Sequence, residues 1–350
     1  MRTRAGELER REFLKTGLLA AGGAALGAEA NAAEPDKVRS GGRDALPTRP
    51  FGKTGLTLPV FGMGGSAMVA LGKFAEYGVP MLSMDERVAM VRHAYDMGVR
   101  YFDTARIYLE SESIMGKGLK GIRNQVFLAT KVAETDPDRV RRSLETSLKH
   151  LDTDHVDLAQ IHSPAIEKVG FEGAMKLHAE LVKLRDQKML RFIGLTTHVA
   201  FETVHRMIGT GGFDTVLLAY GYFRKGLNTL HSHRTLEFRE MCLAKAHELK
   251  MAIIAMKIMG HKIFSHNAPN IVPGYNPAAL AKLPAAAIRW ALQDERVSVL
   301  NIGISLPADV DKNCATLKGD LRLTDEDREL LADFAARAYE SDSVKKMPVV

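Results

Sequence analysis

Four polar residues that can hold or transfer a proton follow apolar runs typical of β-strands. Asp103 ends "RYFD" and Tyr108 follows it by five residues, while Lys131 ends "FLATK" and His162 ends "DLAQIH". Taken singly, an Asp can cap a turn, and a Lys can reach solvent along its own aliphatic stem. A carboxylate, a phenol, an ammonium and an imidazole at the ends of three successive strands instead favour one shared acid–base site.

The elements that must position these residues recur as eight strand–helix units. From residue 57 onward, short apolar runs alternate with amphipathic segments, and a final helix, "TDEDRELLADFAARA", follows the last unit. No G-x-G-x-x-G turn follows the first strand, since "GMGG" is too short for that dinucleotide-binding fingerprint. The pattern predicts a single-domain α/β fold, a (β/α)8 TIM barrel over residues 51–340. In such a barrel the carboxyl ends of the strands share one rim.

Composition excludes several other classes of protein. The 350 residues include 48 Lys and Arg against 42 Asp and Glu, and the surplus of +6 is spread without basic runs, which disfavours nucleic-acid binding. Cys242 and Cys314 are the only cysteines, so this chain alone cannot ligate an iron–sulfur cluster through Cys, and a disulfide framework is not expected. Both cysteines are interpreted as buried apolar residues of helices.

Histidines elsewhere in the chain do not form a metal-binding pattern. They have no carboxylate or cysteine at ligand spacing, and no metal is expected. We interpret four of them as surface residues: His231, His233, His261 and His266.

The first 32 residues resemble a twin-arginine export signal. Arg10 and Arg11 precede Phe13-Leu14-Lys15, and a Gly/Ala-rich stretch ends in small residues near Ala32. The alternative is a frayed basic amphipathic N-terminus. An export signal would make the twin-arginine translocation machinery a partner and the location periplasmic, with the cytoplasm as the fallback. A polar linker is predicted over 33–50, and a C-terminal tail over 341–350.

The strand-end residues carry a family resemblance. "FDTARIYLESESIMGKGL" resembles the aldo-keto reductase signature, in which Asp-Thr-Ala is followed by Tyr, Ser-Glu and Gly-Lys. "VFLATKV" and "SLKHLDTDHVDLAQIHSP" are similar to the next two blocks of that family, and the similarity spans residues 47–340. The resemblance implies an oxidoreductase that transfers a hydride between NAD(P)(H) and an aldehyde or ketone. It also implies a catalytic tetrad of Asp103, Tyr108, Lys131 and His162.

Each member of the implied tetrad has a physical reason to be present. Hydride addition to a carbonyl leaves an alkoxide, which needs a proton and stabilisation of its charge. A free phenol has a pKa of about 10, and a neighbouring ammonium lowers that value. Lys131 would supply this ammonium to Tyr108, Asp103 would keep Lys131 charged, and His162 would orient the substrate carbonyl.

The resemblance also implies residues that hold the cofactor. Thr196 and Thr197 would bind the nicotinamide carboxamide, and Tyr220 would stack on the ring, although Leu217 replaces the Gln usual three residues earlier. Lys257 is either a pyrophosphate ligand or a solvated lysine at a strand end. The remaining cofactor positions lie after the last strand: Gly303, Ser305, Lys312 and Asn313.

The family resemblance and the local charges give opposite expectations for the choice between NADP(H) and NAD(H). The family as a whole implies NADP(H), but Lys312 stands where Glu is usual, and Asp309 stands where Arg often is. Because a carboxylate repels the 2′-phosphate, we expect NAD(H) to bind within about tenfold of NADP(H), or better. Ser305, Lys312 and the helix beginning near Pro307 would recover part of the phosphate affinity.

Two long loops would form the walls of the substrate pocket. The loops over 66–82 and 261–280 are rich in apolar residues and Met, which suggests a bulky or apolar carbonyl compound. The oligomeric state is left open. A second function class is a nicotinamide-binding regulatory or sensor subunit with the same fold and little turnover, and the intact tetrad favours the enzyme.

Overall fold

The computed structural model describes residues 45–69 and 78–350. The predicted export signal over 1–32 lies outside these residues, as do most of the predicted linker and residues 70–77 of the loop after the first barrel strand. Within the described ranges, no helix combines the length and the apolar character needed to cross a bilayer.

Eight parallel strands close into the predicted barrel. Each strand pairs with the next along the chain, and the last strand pairs with the first. The barrel strands are β3 (Phe61–Gly64), β4 (Tyr101–Asp103), β5 (Phe127–Val132), β6 (Val156–Ile161), β7 (Leu190–Thr197), β8 (Thr215–Ala219), β9 (Ala252–Met256) and β10 (Val297–Gly303).

At least one α-helix follows each barrel strand. The predicted outer helix comes after the helix that follows β10. The α-helices are α1 (Met84–Asp96), α2 (Ser111–Gly118), α3 (Val140–Leu151), α4 (Ser163–Asp186), α5 (Phe201–Gly209), α6 (His233–Glu248), α7 (Ala268–Ile271), α8 (Pro277–Leu292), α9 (Pro307–Lys318), α10 (Asp325–Glu340) and α11 (Asp342–Lys345).

A hairpin precedes the barrel, which the sequence pattern did not predict. β1 (Thr48–Pro50) pairs antiparallel with β2 (Thr57–Pro59), so the end of the predicted linker is paired strand. The hairpin carries Phe51 and Leu58, both fully buried, into the same apolar cluster as Tyr101 and Phe127 of the barrel strands. The aromatic contacts of Phe51 with both rings close one end of the barrel interior.

Strand alternation places a polar layer above this apolar one. Tyr101 and Val299 belong to the interior cluster, whereas Phe102 and Leu300 pack in the layer shared with the helices. Because alternate residues of a strand face the same side, Asp103 on β4 and Asn301 on β10 point into the barrel.

Two helices of the barrel have local irregularities. Asp136 caps a 3-10 turn that opens at Pro137 and precedes α3. Gly170, with a φ of 64°, interrupts the helical backbone of α4. Cys242 and Cys314 are buried in helices, as predicted.

The predicted C-terminal tail is ordered. It contains α11, and Val349 then pairs with Leu230 in the loop after β8. The Val350 carbonyl accepts from the backbone N–H of Ser232, the residue that caps α6. This pairing fixes the loop between β8 and α6.

Candidate active site

A buried ion pair lies at the carboxyl end of the barrel. Asp103 and Lys131 are 2% and 1% exposed, and Lys131 Nζ donates to Asp103 Oδ1 and to the Thr104 carbonyl, the latter at 2.7 Å. Burial lowers the pKa of Lys131, but Asp103 and Tyr108 together raise it more, and the net shift is upward. Lys131 is therefore held as an ammonium.

Tyr108 lies over this ion pair. A tight turn positions it, because its N–H donates to the Ala105 carbonyl at 3.0 Å and its carbonyl accepts from Ser111, the first residue of α2. The Lys131 ammonium is 5.0 Å from the centroid of the Tyr108 ring, and the hydroxyl is 3.3 Å from His162 Nε2. The structure thus brings together all four residues predicted for catalysis.

The pKa of Tyr108 shifts in the direction opposite to the sequence-based expectation. Burial raises this pKa, and the Lys131 ammonium lowers it by less. Lys131 does lower the pKa of Tyr108, as expected. The expected net lowering of this pKa is wrong, because desolvation of the phenolate has the larger effect. The hydroxyl of the free protein is consequently protonated at neutral pH and suited to donate a proton.

His162 contributes a neutral imidazole. Burial, with a smaller effect of Lys131, lowers its pKa to about 3. One ring nitrogen of a neutral imidazole carries a hydrogen and the other accepts. Nδ1 has no hydrogen-bond partner among the described residues, and Nε2 lies against the Tyr108 hydroxyl. A carbonyl oxygen placed beside Tyr108 would meet a second donor in the tautomer that carries its hydrogen on Nε2.

Two carboxamide side chains donate to Asp103 of the tetrad, and sequence reasoning missed both. Gln160 Nε2 donates to Asp103 Oδ2 at 2.9 Å, and Asn301 Nδ2 donates to Asp103 Oδ1 at 3.0 Å. Strand alternation could have found Gln160, since it lies two residues before His162 on β6 and faces the same side.

The two threonines predicted to bind the carboxamide end β7 and are both buried. Thr196 Oγ1 accepts from the Ser163 N–H at 2.8 Å and keeps its own hydrogen free to donate. Thr197 Oγ1 is buried and has no hydrogen-bond partner in the described ranges. An unpaired buried hydroxyl could donate to an amide-bearing ligand, and the carboxamide-binding role of both threonines stays a prediction.

Lys257 belongs to a cluster of cationic side chains. It directly follows β9 with a φ of 67°, and burial together with Lys225 lowers its pKa to about 7. Lys225 has its own pKa lowered to about 8 by burial, and Lys257 helps to lower that of His261 to about 3. Cations that destabilise one another would be stabilised by an anionic ligand, and the phosphate-binding role of Lys257 stays a prediction.

Tyr220 does not lie where the resemblance placed it. Trp290 of α8 stacks against its ring with centroids 5.4 Å apart, and the Arg239 guanidinium lies 5.2 Å from the ring centroid. Its hydroxyl donates to Asp294 Oδ2 at 3.0 Å. These partners hold Tyr220 in the helix layer, so the prediction that it stacks on a nicotinamide is wrong.

The residues after β10 differ in how available they are to a ligand. A Cβ on Gly303 would come within 2.8 Å of Ala67 Cβ, which explains the glycine. Ser305 Oγ donates to the Ala67 carbonyl at 3.1 Å, so this hydroxyl already has a partner. Lys312 is exposed and Asn313 is buried, both on α9.

Asp309 lies in the first turn of α9, the helix whose beginning was expected to attract phosphate. Its Oδ2 accepts from the N–H groups of Ser305 and Leu306 at 3.1 and 3.0 Å, and the carboxylate pairs with His266 Nε2 at 3.0 Å. Burial raises the pKa of Asp309, but His266 and the two N–H groups lower it by more. The Asp309 carboxylate thus occupies two N–H groups just before α9, for which a bound phosphate would have to compete.

The interpretation of four histidines as surface residues is wrong for His231. It is 5% exposed, and its Nε2 lies 2.8 Å from the His198 carbonyl. His266 is partly buried against Asp309, and His233 and His261 are exposed. Among the described residues, no His, Cys, Asp or Glu cluster has the composition to hold a metal ion.

Comparison with known proteins identifies the family. The sequence model described as "Aldo/keto reductase family" matches residues 71–274, more than half of the chain. The chain belongs to the aldo/keto reductase family. The predicted (β/α)8 fold and the prediction of an NAD(P)(H)-dependent oxidoreductase are thereby confirmed at the level of the family.

Proteins similar to this chain include enzymes that are named for different activities. L-galactose dehydrogenase of Arabidopsis thaliana is 26% identical over 82% of this chain and 93% of its own length. Methylglyoxal reductase DkgB of Salmonella typhi is 30% identical over 59% of this chain and 74% of its own. An aldo-keto reductase of Bacillus halodurans in its holo form superposes with a TM-score of 0.62 at 17% identity, covering 83% of this chain and 96% of that one, which shows the fold alone.

Proposed function

We propose that this aldo/keto reductase reduces aldehyde or ketone substrates, with Tyr108 as the proton donor. The observation that carries the proposal is the Tyr108 hydroxyl, placed 3.3 Å from His162 Nε2 and above the buried Lys131 ammonium. A bound nicotinamide dinucleotide supplies the hydride. Because the phenol is protonated at neutral pH, its charge state favours the reductive direction.

The four side chains of the tetrad have different roles in proton transfer. His162, neutral across the physiological range, donates to the substrate carbonyl oxygen and orients it toward Tyr108. Tyr108 gives its proton to the oxygen as negative charge develops there. The Lys131 ammonium stabilises the resulting phenolate, and Asp103 holds that ammonium in place.

Lys257 provides a test of dinucleotide binding that does not depend on turnover. A pyrophosphate beside Lys257 would raise its pKa from about 7, so binding above pH 7 takes up a proton. We expect the dinucleotide Kd to rise by up to about tenfold per pH unit above pH 7, until the pH reaches the raised pKa of the complex.

Fluorescence titration at several pH values measures this slope, and two variants control it. Lys257→Arg keeps the charge and should give a flat profile with tight binding. Lys257→Gln should bind weakly at every pH. A wild-type slope that persists in Lys257→Gln would remove Lys257 from the phosphate site.

We propose that Asp309 weakens the family's preference for NADP(H). Its carboxylate already occupies the N–H groups before α9, where a 2′-phosphate would have to compete with a charge of its own sign. NAD(H) should bind within about tenfold of NADP(H), or better. Asp309→Arg should shift the affinity ratio toward NADP(H) by about 1 kcal/mol or more.

Titrating both dinucleotides against each variant checks this preference. Asp309→Asn is the matched control, because it keeps an acceptor for the two N–H groups but removes the charge, and it should shift the ratio by less than Asp309→Arg. A wild-type preference for NADP(H) above about a hundredfold would show that the phosphate lies elsewhere.

A bulky or apolar substrate is the second part of the proposal. Four large apolar side chains are about half exposed in loops that follow barrel strands: Met81, Ile107, Leu109 and Leu227. Ile107 and Leu109 directly flank Tyr108. Apolar groups around the mouth favour an apolar carbonyl compound, since they would be covered when it binds.

We propose export by the twin-arginine pathway on the strength of the first 32 residues alone. That machinery carries folded proteins, so the dinucleotide would travel bound and be regenerated by a second substrate. Fractionating cells that express the full chain, with Arg10→Lys and Arg11→Lys together as the control, tests this location. A chain that stays in the cytoplasm in both forms would refute it.

A further inference from the structure

The Asp103 carboxylate accepts more hydrogen bonds than its ion pair with Lys131 requires. Besides Lys131, it accepts from Gln160 Nε2 at 2.9 Å and from Asn301 Nδ2 at 3.0 Å, and the Tyr101 hydroxyl lies 3.5 Å from Oδ2. Gln160 is fully buried on β6, and Asn301 is 9% exposed on β10. Side chains from two other strands therefore converge on one carboxylate of β4.

The same two amides leave their oxygens unsatisfied. Gln160 Oε1 and Asn301 Oδ1 are buried and have no hydrogen-bond partner among the described residues. A buried polar atom without a partner destabilises a fold, whereas an apolar side chain of similar shape would avoid this. The hydrogen bonds to Asp103, and not the surroundings of the two amide oxygens, therefore account for the carboxamides.

We propose that Asn301 and Gln160 are positioning residues that hold the Asp103 carboxylate against Lys131. The inference rests on the proposed proton donation by Tyr108. In a buried carboxylate–ammonium pair, transfer of the proton to the carboxylate would leave both partners neutral and remove the positive field at Tyr108. Neutral donors to the carboxylate favour its charged form without adding another charge to the site. Lys131 then keeps its proton.

Removing either amide should slow turnover without loosening the fold. For Asn301→Leu and for Gln160→Met we expect kcat to fall by about tenfold, the loss that follows one hydrogen bond to a charged group. The dinucleotide Kd should stay within about twofold, and the melting temperature should change little, because removing the unsatisfied oxygen offsets the hydrogen bond lost from the buried carboxylate. A structural role predicts the reverse, namely a lower melting temperature with unchanged kcat per folded molecule.

Asn301→Asp adds a pH signature that a structural role would not produce. Two buried carboxylates in contact share a proton, and the protonated one can donate to Asp103 as the amide does. The kcat of this variant should approach the wild-type value at low pH. It should fall to the level of Asn301→Leu or below as the pH rises and the shared proton is lost.

Ser298→Ala is the matched control on the same strand. Ser298 lies on β10 at the register shift between Val297 and Val299 and is not one of the side chains that hydrogen-bond Asp103, so its profile should follow the wild type. Wild-type kcat at every pH in Asn301→Leu and Gln160→Met, with Tyr108→Phe inactive, would overturn this inference and leave the proposed function standing. Full turnover in Tyr108→Phe would overturn both. The two amides lie on separate strands, so one variant remains decisive if the other does not fold.

Discussion

Tyr108→Phe should lower kcat for carbonyl reduction by about a thousandfold while the dinucleotide Kd stays within about twofold. The substitution removes one oxygen, the only atom that can pass a proton to the substrate from this position. The ring remains in its edge-on contact with His162, whose centroid lies 5.6 Å away. An interaction made only in the transition state therefore disappears, and the binding surfaces do not.

Steady-state kinetics and fluorescence titration of the same preparation measure these two quantities. Tyr95→Phe is the matched control, since Tyr95 on α1 donates to Gln125 at 2.5 Å and lies outside the tetrad. It should turn over like the wild type. Retention of more than about a tenth of wild-type kcat in Tyr108→Phe would rule out proton donation by this phenol.

Lys131→Met should be the second most damaging substitution, with kcat reduced by a hundredfold or more. It removes the ammonium 5.0 Å from the Tyr108 ring and leaves the Asp103 carboxylate buried without its counter-ion. Breaking a buried ion pair from one side destabilises a protein by about 3–5 kcal/mol, so the free energy of unfolding should fall as well.

A double variant separates these two effects. Asp103→Asn combined with Lys131→Met leaves a neutral pair, which removes the uncompensated charge and should restore most of the stability lost in Lys131→Met. Turnover should remain low because no ammonium faces Tyr108. Urea unfolding and kcat are the measurements, and recovery of both together would mean that Lys131 acts only on stability.

The sequence predicts the barrel well because its strands are buried on both faces. Near-continuous apolar runs mark such strands, and a polar residue at the end of a run marks the rim. Asp103, Lys131 and His162 were found by this rule. The hairpin was not, because Thr48–Pro50 belongs to a polar stretch whose pairing with β2 leaves no periodic signal.

Some errors had a signal that could have prevented them. Leu217 faces the barrel interior, so Tyr220, three residues further on, falls on the outward side by strand alternation. The same alternation places Gln160 and Asn301 inside. An acidic residue in the first turn of a helix is a common partner of free N–H groups, and Asp309 is such a residue.

Other features depend on contacts that no local pattern carries. His266 reaches Asp309 across 43 residues of sequence, from a different loop. The net direction of the Tyr108 pKa depends on how far burial outweighs the Lys131 charge, and burial is known only once the loops are placed. Residue types therefore predicted that the four tetrad residues meet, whereas the partner of Asp309 and the direction of the Tyr108 pKa shift follow only from the folded chain.

Transfer of deuterium is the most direct test of the central claim. The purified protein would be incubated with a reduced nicotinamide dinucleotide deuterated at the transferring carbon and a panel of apolar aldehydes and ketones, and the alcohols would be analysed by mass spectrometry. Carbonyl reduction predicts one deuterium on the carbinol carbon, present with the wild type and at background level with Tyr108→Phe. Tight dinucleotide binding with no deuterated alcohol from any member of the panel would contradict it, and would favour a nicotinamide-binding regulatory or sensor subunit.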